Sequence, residues 1–286
     1  MSVPVTVVLP TCNAGSRFRE CAEILAKQSA NIAEVLVIDS SSDDETVDIA
    51  KDYGFHVEVI AKPYFGHGKT RQYALEKAQT EIVVFMTQDA LLKDEYAVQE
   101  LIEFLLSDEA LAAVYGRQLP YPHTGPLGSF ARLYNYPDYS FINTFADKKK
   151  KGIKTAFLSD SFAAYKKSLL LQIGGFPKHV NFGEDTYAAA KLLMAGYKTG
   201  YCAEAMVYHA HDYSLQQEFL RCRQIGQFHK EETWLLETFG KAEGEGLRYI
   251  VQEARYLMRC EEYLQVGFAF IHNMVKYFGY KTGVLI

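Results

Sequence analysis

Val83-Val-Phe-Met-Thr-Gln-Asp-Ala90 is the stretch whose reading decides the fold. Four apolar residues in succession predict a buried strand, and Asp89 falls where that strand ends. In an open α/β sheet, ligands gather outside the carboxyl ends of the strands. A carboxylate delivered at that edge, ahead of a helix expected to start near Asp94, is placed to hold a metal or a phosphate-bearing ligand.

The pattern repeats on the N-terminal side. Val3 to Leu9 predicts a buried strand ending in Pro10-Thr11, followed by a helix over about residues 16–29. Val35-Leu-Val-Ile38 predicts a second strand, closed by Asp39. Asp43-Asp44-Glu45 then opens a helix with acids at its positive end. His56 to Ile60 reads as a third strand, and Gly66-His-Gly-Lys-Thr-Arg71 as a turn into another helix. Strands alternating with helices predict βαβ units and an α/β fold with a Rossmann-like, mostly parallel central sheet flanked by helices. Farther on, the sequence predicts a helix over 94–106 and strands at 111–117 and 157–165. A helix over 186–195 and a short strand Val207-Tyr-His-Ala-His211 follow, and from Leu215 the pattern is helical to the end. The expected division is a catalytic domain over 1–213, with halves at about 1–118 and 119–213, and a helical C-terminal region over 214–286.

A chain of 286 residues that is 49% hydrophobic and 23% charged is an ordinary globular protein. Its net charge of −5 provides no basic field for nucleic acid, and Lys148-Lys-Lys-Lys151 reads as a solvated loop. The five cysteines share no metal-ligand spacing and are expected to be reduced thiols. Met1-Ser-Val-Pro4 lacks a basic n-region, so no signal peptide is expected. No apolar run approaches the roughly 18–20 residues that span a bilayer. These features predict a cytoplasmic protein.

Asp39 and Asp89 end two strands on the same expected rim, close to Pro10-Thr-Cys-Asn13. Each carboxylate alone could be a helix cap; together they point to a ligand cleft. Asp39 could accept from a base or ribose, and Asp89 could hold a hard divalent cation. Lys69 and Arg71 enter a helix at its N-terminus, where phosphate is favoured, although a capped surface helix has the same pattern. No Walker loop and no Gly-x-Gly-x-x-Gly is present. Glu184-Asp185 at a helix start reads either as N-cap acids or as a general base. His209 and His211 lie on one predicted strand, and at most one of them is expected to point into the site.

These pieces resemble the inverting family 2 glycosyltransferases of GT-A fold, most closely their bacterial rhamnosyltransferase branch. The resemblance rests on Val8-Leu-Pro-Thr-Cys-Asn13, Val37-Ile-Asp-Ser-Ser-Ser42 with Asp44 and Thr46, and Phe65-Gly-His-Gly-Lys-Thr-Arg71. Phe85-Met-Thr-Gln-Asp-Ala90, Gly174-Gly-Phe176, Gly183-Glu-Asp185 and Gly196-Tyr197 continue it, so it covers about residues 3–225.

The resemblance implies a role for each matched residue. Asp39 would meet the nucleobase, with Pro10, Thr11 and Asn13 lining the nucleoside pocket. Gln88, Lys69 and Arg71 would serve the donor. Asp89 would be the surviving metal ligand where Thr87 replaces the first acid of an Asp-x-Asp motif. His209 or His211 would complete the shell of a divalent cation, Mn²⁺ or Mg²⁺. Asp185, beside Glu184, would be the catalytic base. The donor implied is dTDP-L-rhamnose and the acceptor a glycan or lipid-linked glycan of a bacterial surface polysaccharide. A UDP-linked donor and a sugar nucleotidyltransferase are the alternatives.

Past the resemblance, Tyr249, Tyr256, Tyr263, Phe270 and Tyr277 recur every seven residues, with Gly267 a candidate break. Core packing, self-association into a homo-oligomer, and docking on the inner face of the cell membrane with help from Arg248, Arg255 and Arg259 all fit that stripe.

Overall fold

A run of Val, Leu and Ile too apolar for a solvent-facing strand must be covered on both faces, and this requirement organises the N-terminal half. The computed structural model describes residues 3–285. It places β1 (Val5–Thr11), α1 (Arg17–Ala26), β2 (Ile32–Asp39), α2 (Thr46–Asp52), β3 (His56–Val59), α3 (His67–Lys77), β4 (Ile82–Met86), β5 (Leu91–Leu92), α4 (Ala97–Leu106) and β6 (Leu111–Leu119). Then come α5 (Pro126–Asn135), β7 (Phe141–Asn143), α6 (Lys148–Lys151), β8 (Phe162–Lys166), α7 (Lys167–Gln172), α8 (Glu184–Met194) and β9 (Lys198–Tyr208). Four helices follow: α9 (Leu215–Glu231), α10 (Thr233–Phe239), α11 (Glu245–Arg259) and α12 (Tyr263–Leu285).

The sheet order is β3-β2-β1-β4-β8-β6-β9-β5, with β7 beside β9. β1 pairs in parallel with β2 and β4, and β2 with β3, as the βαβ pattern predicts. The expectation of a mostly parallel sheet holds for that half alone. β8 runs antiparallel to both β4 and β6, and β9 antiparallel to β5 and β7. The reversal has a consequence for the rim: the start of β8 lies beside the end of β4, with Phe162 opposite Met86. The expected 157–165 strand is shorter and later, because Ser159-Asp160-Ser161 precedes it outside the ladder. The final strand begins earlier than expected and stops at Tyr208, so His209 and His211 lie beyond it and strand alternation does not govern them.

Contacts divide the chain into two compact units. The first contains residues up to Arg117, Asp138–Phe145 and Ala156–His209. Its core includes Val7, Leu9, Val37, Val84 and Met86 of the sheet against Phe18, Leu25 and Ile49 of α1 and α2. Phe85, Tyr165 and Phe176 form a fully buried triangle of edge-to-face rings, centroids 5.2–5.8 Å apart. That triangle joins β4 to β8 and to the segment entering α8.

The second unit contains Gln118–Pro137, Ala146–Thr155 and the chain from Ala210 onward. Here Phe130 of α5 packs on Tyr249 and Tyr256 of α11. The C-terminal helical run breaks at Glu261, which adopts φ 61°, and not at Gly267, which α12 carries through. All five cysteines are free. Among the described residues, no helix is long and apolar enough to cross a membrane.

Candidate functional site

Parallel pairing sets Thr11, the last residue of β1, opposite Asp39, the last of β2. Thr11 Oγ1 donates to Asp39 Oδ1 at 2.9 Å, and Ser42 donates its backbone N–H to Oδ2 at 2.8 Å and its hydroxyl to Oδ1 at 2.6 Å. Asp39 is 0% exposed. With Thr11 and Ser42 taking its oxygens, the Asp39 carboxylate ties the end of β1 to the turn after β2.

The loop after Thr11, which continues from Pro10, is tied at several points. Asn13 sits at φ 47°, a left-handed conformation tolerated by Asn, and its side-chain oxygen accepts from Asp43 N at 2.9 Å. Gly15 N donates to Asp44 Oδ2 at 2.8 Å. Burial opposes charge on Asp44, yet hydrogen bonds from Thr46 and Gly15 hold its carboxyl below the usual range. Gln88 closes the loop from the other side: its amide oxygen accepts from Cys12 N at 2.8 Å and its amide nitrogen donates to Cys12 O at 3.2 Å.

Asp89 follows on the same rim. Its Oδ1 lies 3.4 Å from Nε2 of His209, which the β5–β9 pairing brings alongside. A carboxylate oxygen and an imidazole nitrogen at that separation fit neighbouring positions around one small divalent ion. The mixed O/N donor set suits Mn²⁺ better than Mg²⁺. Asp89 is exposed and His209 buried. His211 belongs to the second unit, two residues beyond His209.

The reversal of β8 brings the third group of residues to this edge. Thr87 N donates to Ser161 O at 3.3 Å, so Asp160 stands beside the Asp89 turn. Asp160 N reaches Asp185 Oδ2 at 3.4 Å, and Thr186 N donates to Asp185 Oδ1 at 2.7 Å. Gly183, at φ 83°, makes the left-handed entry into α8 that presents Glu184 and Asp185. Asp39, Asp89 and Asp185, distant in sequence, thus share one edge of the sheet.

Arg71 takes a position that its sequence motif does not disclose. It is buried, with Nε 2.9 Å from Asp160 Oδ2 and Nη1 2.7 Å from Glu184 Oε1. Burial opposes its charge, and Glu184 and Asp160 outweigh that penalty. His67, 3.3 Å from Arg71, has its basicity lowered by burial despite Glu184 nearby. Lys69 is exposed.

Burial, then the charges of Glu184 and Asp160, push the Asp185 carboxyl up to about 8. Burial likewise raises Asp160 to about 6, against the pull of Arg71. Asp160 is the residue that sequence reading passed over; an acid interrupting the apolar run 156–165 was the available signal.

Residues 6–174 match the family described as Glycosyl transferase family 2. The O-antigen chain rhamnosyltransferase WbaN of Salmonella anatum is 41% identical over 97% of this chain and 88% of its own length. RfbN of Salmonella typhimurium, of the same description, is 40% identical over 98% and 89%. Among solved structures, the mannosyltransferase PcManGT from Pyrobaculum calidifontis, in complex with GDP-Man and Mn²⁺, superposes over 100% of this chain and 86% of its own with a TM-score of 0.67. At 19% identity that likeness speaks to the fold, which is of the GT-A type. A matched pattern over more than half of the sequence, and relatives at 40% identity along nearly all of it, establish that this chain belongs to the family 2 glycosyltransferases.

Proposed function

We propose that the chain transfers L-rhamnose from dTDP-β-L-rhamnose to a sugar hydroxyl of a bacterial surface-polysaccharide precursor, with inversion at the anomeric carbon. The observation that carries the reaction type is the Asp185 carboxyl, raised to about 8, on the rim that also bears Asp89. The donor and acceptor classes rest on the names of the two Salmonella relatives.

In this reading Asp185 is the catalytic base. A carboxylate with raised proton affinity, close to the working pH, removes a hydroxyl proton more effectively than an ordinary one. The acceptor oxygen attacks the anomeric carbon as its proton passes to Asp185, and the sugar–phosphate bond breaks, releasing the nucleoside diphosphate. Arg71 positions the Glu184–Asp185 corner through Glu184 and Asp160. Thr11, Asn13, Asp39 and Gln88 hold the nucleotide-side loop in shape, and exposed Lys69 is free to approach the donor phosphates. Asp89 and His209 would hold a divalent ion, and that ion would offset charge on the departing diphosphate.

The test is a panel of nucleotide sugars offered to the purified chain with a rhamnosyl-accepting glycan. Mass-spectrometric gain of one deoxyhexose with dTDP-rhamnose, and with no UDP- or GDP-sugar, is the expected result. Transfer from a UDP-sugar in preference would overturn the donor assignment.

A further inference from the structure

Tyr165 is 0% exposed in the ring triangle with Phe85 and Phe176, so its hydroxyl is a polar group that must find a partner inside the protein. It finds one five residues back along the chain: the phenol donates to Asp160 Oδ1 at 2.5 Å. The other oxygen, Oδ2, lies 2.9 Å from Arg71 Nε. Asp160 is itself 2% exposed, so both carboxylate oxygens are engaged from within and neither is presented to a substrate. Its backbone meets the catalytic corner instead, through the N–H that reaches Asp185 Oδ2 at 3.4 Å. Asp185, by contrast, is half-buried and retains a face to the rim. Burial and the neighbouring Asp160 charge push the ionisation of the phenol far up, so Tyr165 stays a donor at every working pH. A fixed donor on one oxygen and a guanidinium beside the other both favour the charged form of Asp160, against the burial that opposes it.

We propose that Tyr165 and Asp160 are positioning residues for transfer: the phenol keeps a negative charge on Asp160, and that charge, fixed beside Asp185, sets how strongly the base draws the acceptor proton. The inference rests on Asp185 being the base and adds what governs its strength. Among the described residues, the other charged or titrating groups shown at this corner are Arg71 and His67 of α3 and Glu184 of α8. Glu184 and Asp160 raise the proton affinity of Asp185, and Arg71 lowers it. Glu184 is committed to Arg71 Nη1 at 2.7 Å. His67 is half exposed, and its lowered basicity keeps it from adding positive charge near neutrality. Asp160 is therefore the member whose charge one remote hydroxyl can alter. Without the phenol, Asp160 keeps its place beside Arg71 but loses the donor that favours ionisation. A proton then settles on it at higher pH, its repulsion of the Asp185 charge weakens, and Asp185 releases its own proton at lower pH. The base so weakened is ionised over a wider range but removes a hydroxyl proton less effectively.

The test is the pH profile of transfer by the full chain, read as kcat at saturating donor, for Tyr165→Phe and Asp160→Asn. Tyr165→Phe keeps the ring triangle and removes one oxygen; both variants are checked for fold by circular dichroism. The midpoint of the acid limb should move to lower pH in each, by roughly half a unit for Tyr165→Phe and roughly one unit for Asp160→Asn. On the plateau kcat should fall roughly tenfold, with the donor KM unchanged. A side chain that merely packs lowers kcat equally at every pH. An acid limb that stays in place in Tyr165→Phe therefore overturns the proposal, and it does so even where Asp160→Asn fails to fold. Asp185→Asn separates this inference from the assignment beneath it. Near-native transfer by Asp185→Asn overturns the base itself, whereas a silent Asp185→Asn beside an unmoved limb in Tyr165→Phe overturns the role of the Tyr165–Asp160 pair alone. Transfer lost at every pH in a folded Asp160→Asn, with Asp185→Asn still active, makes Asp160 the base and likewise overturns the proposal.

Discussion

Arg71 Nη1 lies 2.7 Å from Glu184 Oε1 while Nε of the same guanidinium lies 2.9 Å from Asp160 Oδ2. One buried cation therefore serves a cluster of three carboxylates, Asp185 being the third. Three negative charges cannot be balanced by one positive charge out of water, so the cluster retains a proton near neutrality. The proton resides most firmly on Asp185, whose affinity for it is raised furthest, to about 8.

Arg71→Ala leaves Asp160 and Glu184 buried without their cation. Removal of one partner from such a pair costs about 3–5 kcal/mol, and urea unfolding should show a loss in that range. Arg71→Lys should recover part of it, since an ammonium cannot bridge both carboxylates as the guanidinium fork does. An alanine variant within 1 kcal/mol of the native chain, on the scale of an exposed pair, would contradict the buried pairing.

Asp185→Asn should abolish transfer while leaving donor binding intact, measured by thermal shift with dTDP. Its effect on stability has the opposite sign. The folded value of about 8 lies above the ordinary 3.8. The stability associated with this proton is thus full below about pH 4 and lost as pH rises through about 8. The melting temperature of the native chain should fall across that window more steeply than that of Asp185→Asn. Transfer by the native enzyme should rise with pH over the same limb, because the base must be ionised to accept a proton. Parallel melting curves for the two proteins across pH 4–8 would remove Asp185 from the titrating cluster.

Much of this rim was legible because parallel strands end where their carboxylates stand: Asp39 and Asp89 are marked by the apolar runs before them. Asp185 was legible as the residue after a glycine and a glutamate at a helix start. The direction of β8 was not, since an apolar pentad has the same composition in either sense. Asp160 was hidden with it, as was the burial of Arg71, whose partners lie 89 and 113 residues away. The tyrosine repeat announced a face on the C-terminal helices but not its fate. Tyr249 and Tyr256 met Phe130, while Phe270 and Tyr277 were left outside because glycines took the inner side of α12.

Gly175→Ala should destabilise the chain without touching a reacting group. Gly175 sits at φ 73°, and a Cβ there would fall 2.0 Å from Gln72 Oε1. That oxygen accepts from Phe176 N at 2.7 Å and so seats Phe176 against Phe85 and Tyr165. Left-handed strain and overpacking together should cost about 2–4 kcal/mol. Differential scanning calorimetry reads the loss; an unchanged transition would mean that Gln72 is free to swing away.

Asp89→Ala removes the exposed oxygen ligand, and His209→Ala removes the imidazole 3.4 Å from it. If the pair holds a divalent ion, chelation with EDTA should silence the native enzyme and Mn²⁺ should restore it more fully than Mg²⁺. Asp89→Ala should then abolish the metal response. His209→Ala should shift the Mn²⁺ concentration for half-maximal transfer upward by roughly 10–100-fold and leave activity at saturating metal measurable. The ordering follows from charge: the carboxylate supplies the only negative ligand of the two, whereas water can stand in for a neutral imidazole. Full turnover by the chelated native chain would show that Lys69 and the loop amides suffice for the leaving diphosphate, and that Asp89 and His209 pair for structural reasons alone.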